Sequence, residues 1–423
     1  MSEFDKVIGY KSIKFELERM CDVLKNFDKY KALGVKQPTG IMLYGDAGLG
    51  KTLMATCFVK ESGWNCFVCR KDKSDGYFVK EIKRVYDEAV KNQPAIVLLD
   101  DFDKFSNEYD NKSNTEEFVT VQSCIDATKG NRVFTFATAN RRHCFPDSLL
   151  RMGRFDKVIQ VKAPEYEDAK AIIKYYLSQK VSTEVVDVEE VAKILGCTSC
   201  AVLENVVNEA AIYAGARNKA GIDMEDVVSA CMRVIFEAPE SLSFDKEKGI
   251  EKIAYHEAGH TVVAEILEPN SVNIVSVLKH DGDIGGVTSL TRADNYWQEK
   301  TLMENRVTCL LAGKAATEIV YGEVDTGVCS DVDRARKIVR RFYEEFSTNG
   351  FEYFCDFGKE LSDNLKAGLE NAMAKDLAKF YEKAKVILFE NRKLLDEIAK
   401  LLVENKTIRQ KHILEVKKKL EMC

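Results

Sequence analysis

A glycine-rich octapeptide at residues 45–52 constrains the fold of this chain more than any other feature. It reads G-D-A-G-L-G-K-T and fits the pattern G-x-x-x-x-G-K-[ST]. The apolar run at 40–44 predicts a buried strand before it, and a helical pattern follows from Lys51. A strand, a glycine-rich loop and a helix in this order predict a phosphate-binding loop, with an ordinary glycine-rich turn as the alternative.

The loop residues are predicted to bind a nucleotide through their backbone N–H groups. The set is Gly45, Asp46, Ala47, Gly48, Leu49, Gly50, Lys51 and Thr52. Lys51 would reach the β and γ phosphates, and the Thr52 hydroxyl would bind Mg²⁺. Residues 96–101, I-V-L-L-D-D, predict a neighbouring strand that ends in two carboxylates. Asp100 suits the magnesium shell and Asp101 the position of a water-activating base; a plain strand terminus is the alternative.

Further along, the pattern predicts three domains. Apolar runs at 95–99 and 133–138 alternate with helical stretches, which indicates a parallel α/β sheet. From about Glu165 the pattern is helical throughout, and a polar break with a proline follows at 237–241. We therefore expect an α/β ATP-binding domain at 1–163, a helical lid at 164–238 and a mainly helical domain at 239–423. Two strands, at 273–278 and 286–290, are predicted within the last domain.

Composition excludes several classes of protein. With 423 residues, a net charge of -6 and a pI near 5.7, the chain predicts two or three domains and no broad nucleic-acid affinity. Its apolar runs fall short of the roughly 18–20 residues of a membrane span, and no signal peptide is recognisable. Thirteen cysteines, an odd number, indicate reduced thiols and a cytoplasmic location. The pairs Cys66/Cys69 and Cys197/Cys200 are interpreted as core or turn residues.

Residues 256–260 spell H-E-A-G-H and introduce a second chemistry. Histidines four apart lie on one helical face, so His256 and His260 can reach one metal ion. Glu257 stands where a carboxylate can take a proton from water, as in zinc peptidases. Only five histidines occur in the chain. An ordinary helix with two histidines on a half-buried face is the alternative.

The residue pattern leaves the third metal ligand open. No third histidine follows at the spacing H-x-x-G-x-x-H after His260. The downstream carboxylates are Asp281, Asp283, Glu304, Glu318, Asp325, Asp331 and Asp333. Glu318 is also a candidate partner for a ligand histidine, with a solvated carboxylate as the alternative.

Taken together, these motifs resemble the AAA+ ATPases and, more narrowly, the FtsH-type ATP-dependent zinc proteases. The resemblance runs from about residue 4 to about residue 413. The segments that carry it are GDAGLGKT at 45–52, LLDDFDKF at 98–105, TANRRH at 138–143, SLLRMGRFD at 148–156, VNEAA at 207–211, AYHEAGH at 254–260 and DTGVCSDVDRA at 325–335.

The resemblance implies roles for further residues. Asn140 matches the sensor that orients the attacking water, and Arg151 and Arg154 match arginine fingers that reach a neighbouring subunit. Val7 and Ile8 match an adenine contact. Asp331 matches the aspartate that completes the zinc site with His256 and His260. Zn²⁺, ATP and Mg²⁺ are the implied cofactors, and polypeptides and a homo-hexamer the implied partners.

Three departures from the family bear on activity. The family's two N-terminal membrane spans are missing, so we expect a chain that is soluble or truncated. Asp101 replaces the usual glutamate and is one methylene shorter. The pore loop offers Phe78-Val79 without the usual glycine; we expect pore contact there, with core-facing Tyr77 and Phe78 as the alternative.

Three hypotheses follow for the function. The first is a soluble ring-forming protease that uses ATP to unfold proteins and a zinc site to cut them. The second is a zinc peptidase whose ATPase part is a weak, nucleotide-gated scaffold. The third is a non-proteolytic remodelling ring with a structural zinc, which the complete H-E-x-x-H disfavours because a structural site needs no glutamate.

Overall fold

The computed structural model describes residues 2–71, 78–105, 116–182, 185–196, 198–238, 247–278, 286–291, 299–323, 326–353 and 362–421. Its strands are β1 (Gly40–Tyr44), β2 (Asn65–Cys69), β3 (Ala95–Leu99), β4 (Val133–Ala139), β5 (Lys157–Gln160), β6 (Val272–Ser276), β7 (Val287–Leu290) and β8 (Thr407–Arg409). Its helices are α1 (Lys11–Lys25), α2 (Phe27–Lys31), α3 (Lys51–Ser62), α4 (Phe78–Lys91), α5 (Glu116–Ala127), α6 (Tyr166–Ser178), α7 (Val188–Leu195), α8 (Cys200–Ala216), α9 (Met224–Phe236), α10 (Glu247–Leu267), α11 (Lys300–Tyr321), α12 (Cys329–Glu344), α13 (Asp363–Glu390), α14 (Arg392–Asn405) and α15 (Gln410–Glu421).

The first compact unit, residues 1–182 with 197–211, is built on a parallel sheet. The strand order is β2-β3-β4-β1-β5, and every neighbouring pair is parallel. β1, β3 and β4 are buried along their whole length, apart from the half-buried last residue of β1, which explains their continuous apolar sequences. Their carboxyl ends meet at one edge, so the residues after β1, β3 and β4 gather there.

A cluster of aromatic rings packs against the sheet near that edge. Phe102 lies 4.8 Å from Phe145 and 5.2 Å from Phe118, measured between ring centroids. Phe78 opens α4 and packs edge-on against Phe105 at 4.7 Å, with only 6% of its surface exposed. This burial favours the core-facing alternative for Phe78 over pore contact. Gly76 and Tyr77 lie outside the described residues.

The second compact unit, residues 183–196 with 212–423, is mainly helical. Its long helices α10, α11, α13 and α14 pack around the apolar centre of α10, where Ala254, Ala258 and Val262 are fully buried. A three-stranded antiparallel sheet, ordered β7-β6-β8, lies against α10. The helices α11, α13 and α14 and the sheet therefore pack around α10, the helix that carries the H-E-x-x-H segment.

The predicted fold class is confirmed: a parallel α/β sheet is followed by a mainly helical region. The boundary between the two compact units falls within α8, between residues 211 and 212. The three-domain boundaries at 163/164 and 238/239 stay predictions. None of the described helices combines the length and apolar character that crossing a bilayer requires.

Candidate active sites

The helix α10 places the H-E-x-x-H side chains in a buried setting. Glu257 and His260 expose 4% and 7% of their surfaces, and His256 is half-buried. One helical turn separates the two histidines, and their rings meet edge to face with centroids 4.7 Å apart. Both imidazoles therefore lie on the same face of α10, as the four-residue spacing predicts.

Asp331, in the first turn of α12, closes a triangle with the two imidazoles. Its Oδ2 lies 3.2 Å from Nε2 of His256 and 3.2 Å from Nε2 of His260. The two Nε2 atoms are 3.1 Å apart. Ligands held about 2.1 Å from a tetrahedral zinc are separated by roughly 3.4 Å, so this nitrogen and oxygen set fits Zn²⁺ with little adjustment. Among the described residues, this is the one cluster of three side chains spaced to hold a metal.

The electrostatics of the triangle match a metal site. Burial alone would lower the pKa of His260, but hydrogen bonds with the side chains of Asp331 and Cys309 outweigh it and raise the pKa well above the usual value. Burial opposes ionisation of Asp331, yet the two histidines hold its pKa well below the usual range. Zinc would take the place of the His260 proton beside the ionised Asp331, because a metal-bound histidine is neutral.

A backbone carbonyl on α11 fixes the orientation of His260. Nδ1 of His260 lies 2.7 Å from the Cys309 oxygen, so the ring donates its Nδ1 proton there and turns Nε2 toward Asp331. Glu318, the candidate for this role in the sequence, instead pairs with Lys385 at 2.7 Å and accepts a hydrogen bond from Tyr381. The orienting group is therefore a main-chain atom that no residue pattern reveals.

Two glycines let α10 and α11 approach this closely. A Cβ added at Gly313 would lie 2.6 Å from Nε2 of both His256 and His260. A Cβ added at Gly259 would lie 2.6 Å from the Ala312 oxygen and from the Ala316 Cβ. The imidazoles occupy space that only a glycine at position 313 leaves open.

The other candidate carboxylates are elsewhere or outside the description. Asp333 pairs with Lys337, and Glu304 lies 3.8 Å from Lys300. Asp281, Asp283 and Asp325 belong to segments that are not among the described residues. Of the carboxylates that the structure describes, Asp331 is the one brought to the histidines.

In the first unit, the glycine-rich loop wraps around the Lys51 ammonium. Gly45, Gly48 and Gly50 all have positive φ, and a Cβ at Gly45 would lie 2.0 Å from the Val161 oxygen. Nζ of Lys51 donates to the Gly45 and Asp46 carbonyls at 2.7 Å and to Oδ1 of Asn140 at 2.9 Å. Burial lowers the pKa of Lys51. Lys51 and Asn140 thus meet at the carboxyl edge of the sheet.

Asp100 and Thr52 lie together at the end of β3. Oδ1 of Asp100 accepts from Oγ1 of Thr52 at 3.1 Å and from Oγ1 of Thr138 at 2.7 Å. Its Oδ2 pairs with the Arg70 guanidinium, which follows the neighbouring strand β2. Burial opposes ionisation of Asp100, but the hydrogen bonds from Thr138 and Arg70 hold its pKa below the usual value. A hydroxyl and a carboxylate side by side suit a magnesium ion.

Asp101 is held differently from Asp100. Its backbone is left-handed, with φ of 54°, and its N–H donates to Oγ1 of Thr138 at 3.0 Å. Its carboxylate pairs with Lys104 at 2.7 Å. Asn140 donates its N–H to Asp103 at 2.9 Å. Thr138 therefore links both acidic residues to β4, a contact between two strands that the pattern of neighbouring residues does not reveal.

The two candidate arginine fingers differ in their surroundings. Arg151 is exposed. Arg154 is 5% exposed and forms a two-pronged pair with Asp126, with Nη2 2.6 Å from Oδ2; this pair lowers the pKa of Asp126 to about 2. Of the adenine-side candidates, Val7 is buried in the core and Ile8 is half-buried.

Two family models match the chain. The model described as "ATPase family associated with various cellular activities (AAA)" matches residues 41–163, and "Peptidase family M41" matches residues 243–416. The fold and the matched regions define an ATPase of the AAA class followed by a peptidase of family M41.

Relatives from bacteria match nearly the whole chain. It is 31% identical to the ATP-dependent zinc metalloprotease FtsH of Bacillus subtilis (strain 168), over 96% of this chain and 68% of that protein. It is 30% identical to FtsH 2 of Phytoplasma mali (strain AT), over 98% of this chain and 62% of that protein. It is also 30% identical to FtsH 2 of Thermoanaerobacter sp. (strain X514), over 97% of this chain and 82% of that protein. The chain belongs to the FtsH family of ATP-dependent zinc metalloproteases.

Replacing Gly313 by alanine is expected to weaken zinc binding by about 10- to 100-fold, because the new methyl group would displace both imidazoles. Competition titration with a chromogenic chelator measures the affinity. Gly249→Ala is the control, since a Cβ at that position on α10 meets nothing within 4 Å. Equal zinc affinity in the two variants would contradict the steric argument.

Replacing Thr138 by valine is expected to slow ATP hydrolysis about tenfold while nucleotide binding persists, because Asp100 loses a donor and the Asp101 N–H its acceptor. Steady-state ATPase rates and fluorescent-nucleotide titration separate the two effects. Thr135→Val is the control, because it removes a hydroxyl from the same strand that pairs with Tyr86. A similar loss in both variants would point to general damage to β4 instead.

Proposed function

We propose that the chain is an ATP-dependent zinc metalloendopeptidase that unfolds and degrades proteins. The observation that carries this proposal is the triangle of His256, His260 and Asp331, with Glu257 on the helix that holds both histidines. Membership of the FtsH family supports it, since the relatives are named ATP-dependent zinc metalloproteases. It also disfavours the hypothesis of a remodelling ring with a structural zinc.

At the peptidase site, His256, His260 and Asp331 would hold zinc through Nε2, Nε2 and a carboxylate oxygen. Zinc bound by three protein ligands lowers the pKa of water and polarises a peptide carbonyl. Glu257 would take the proton from the attacking water and return it to the leaving amine. The Cys309 carbonyl keeps His260 in the tautomer that presents Nε2.

At the ATPase site, the 45–52 loop would hold the phosphates, with Lys51 on the β and γ phosphates and Thr52 and Asp100 around Mg²⁺. Asp101 and Asn140 would direct the attacking water. The exposed Arg151 suits a finger that reaches a neighbouring subunit, whereas Arg154 is held by Asp126 within its own unit. Hydrolysis in a homo-hexamer would then pull polypeptide toward the zinc sites.

The substrate class and location belong to the same proposal. Unfolded polypeptide is the substrate that a ring with this pair of sites suits, and β7, the terminal strand of its sheet, offers an edge for an extended chain. A cytoplasmic location is supported by the cysteines, since all ten within the described residues are free thiols.

Digestion of casein with ATP, Mg²⁺ and Zn²⁺ tests the main proposal. Glu257→Gln is expected to lower the rate of cleavage by about 100-fold or more while zinc content stays unchanged, because the amide cannot accept the proton. Absence of cleavage by the wild-type chain with all three supplied, or full activity of Glu257→Gln, would overturn it.

The second candidate function is a zinc peptidase with a weak ATPase. One observation favours it: the shorter Asp101 carboxylate is engaged by Lys104 at 2.7 Å. A carboxylate committed to a cation and one methylene short is a poor base for the attacking water.

Asp101→Glu separates the two candidates. If the short side chain limits hydrolysis, the added methylene is expected to raise the ATPase rate and the degradation of folded proteins by several-fold, with cleavage of short peptides unchanged. Lys51→Ala tests the opposite change, since it removes the side chain proposed to hold the β and γ phosphates. A scaffold role predicts that short peptides are cut without ATP and folded proteins are not cut at all. Loss of folded-substrate cleavage in Lys51→Ala, with peptide cleavage spared, would instead support ATP-driven unfolding.

A further inference from the structure

The strand β7 contacts the Glu257 side chain directly. Oγ1 of Thr288, in the middle of β7, lies 2.6 Å from Oε2 of Glu257 and 3.3 Å from the Glu257 main-chain oxygen. The first contact is a short hydrogen bond in which the hydroxyl donates to the carboxylate. Thr288 thus contacts both the side chain and the main chain of Glu257, although 31 positions separate the two residues in sequence.

Gly286, just before β7, shapes the space around the same carboxylate. A Cβ there would lie 2.4 Å from the Ser276 oxygen and 2.6 Å from Cγ of Glu257. Because Ser276 pairs with Val287 in the β6–β7 ladder, neither backbone can move aside without breaking the sheet. The Glu257 side chain therefore lies against the backbone at Gly286, where a residue larger than glycine has no room.

A hydrogen bond at this point has a large effect because Glu257 is 4% exposed. A glutamate side chain has three rotatable bonds, and a buried carboxylate with one firm donor is restricted to the rotamers that keep that donor. Proton transfer requires heavy atoms about 2.6–3.2 Å apart, so a small rotation of the carboxylate removes it from reach.

We propose that β7 positions the general base of the peptidase, with Thr288 and Gly286 as positioning residues. Thr288 holds Oε2, which assigns Oε1 of Glu257 to proton transfer, and Gly286 allows the strand to lie close enough. This inference rests on the proposed peptidase function. It adds a role for β7 beyond any part in holding substrate, since the same strand then controls the geometry of the base.

The test compares two substitutions at position 288. Thr288→Val keeps the shape and removes the hydroxyl, and it is expected to lower kcat for a short peptide at least about tenfold, with KM and zinc content unchanged. Thr288→Ser keeps the hydroxyl and is expected to stay within about threefold of the wild type. Thr291→Val is the matched control, since Thr291 directly follows β7 and its hydroxyl donates to Oδ1 of Asn273 on β6 at 2.8 Å.

A double substitution shows whether Thr288 acts through the base. In a Glu257→Gln background, Thr288→Val is expected to cause no further loss of residual cleavage. The proposal is overturned if Thr288→Val keeps the wild-type kcat, if Thr288→Ser is as slow as Thr288→Val, or if Thr288→Val loses its zinc.

A structural measurement separates this inference from the peptidase proposal. Crystal structures of the zinc-loaded wild type and Thr288→Ser are expected to show one Glu257 rotamer, and Thr288→Val a displaced or divided carboxylate. If the wild type fails to cut peptides, the peptidase proposal fails, and the position of Glu257 still decides whether β7 holds it. An unchanged Glu257 rotamer in Thr288→Val, or in Thr288→Ala if the valine variant does not fold, overturns the positioning role.

Discussion

The close crossing of α10 and α11 is the constraint on which the peptidase site depends. Gly259 allows the two backbones to approach, and Gly313 leaves the space that both imidazoles fill. The same approach brings the Cys309 carbonyl within 2.7 Å of His260 and sets its tautomer. Without this crossing, two histidines at the right spacing would still face one way, but nothing would orient them toward Asp331.

Both candidate sites stabilise buried charge by the same means. At the zinc triangle, the contacts between Asp331 and the histidines raise the pKa of His260 and lower that of Asp331. At the sheet edge, Thr138 and Arg70 hold Asp100 in its ionised form. An unpaired carboxylate in either place would cost several kcal/mol, which the histidines offset for Asp331 and Arg70 offsets for Asp100.

Much of this arrangement could be predicted from residues that act locally. The strand at 40–44, the helix that begins at Lys51 and the helical face shared by His256 and His260 follow from short-range pattern. The short strands β2, β5 and β8 were not predicted, because neighbours in the sheet stabilise them more than their own sequence does. The burial of Phe78 under Phe105 also depends on a distant partner.

The sequence by itself determined the chemistry available: a phosphate-binding loop, two carboxylates after a strand, and two imidazoles with a glutamate on one helical turn. Only the tertiary structure decided that Asp331, 75 positions from His256, is the carboxylate that completes the triangle among those described, and that Thr288 holds Glu257. The physical reason is that spacing along a helix or strand is a property of neighbouring residues. Contacts between elements depend instead on how closely whole helices and strands can pack.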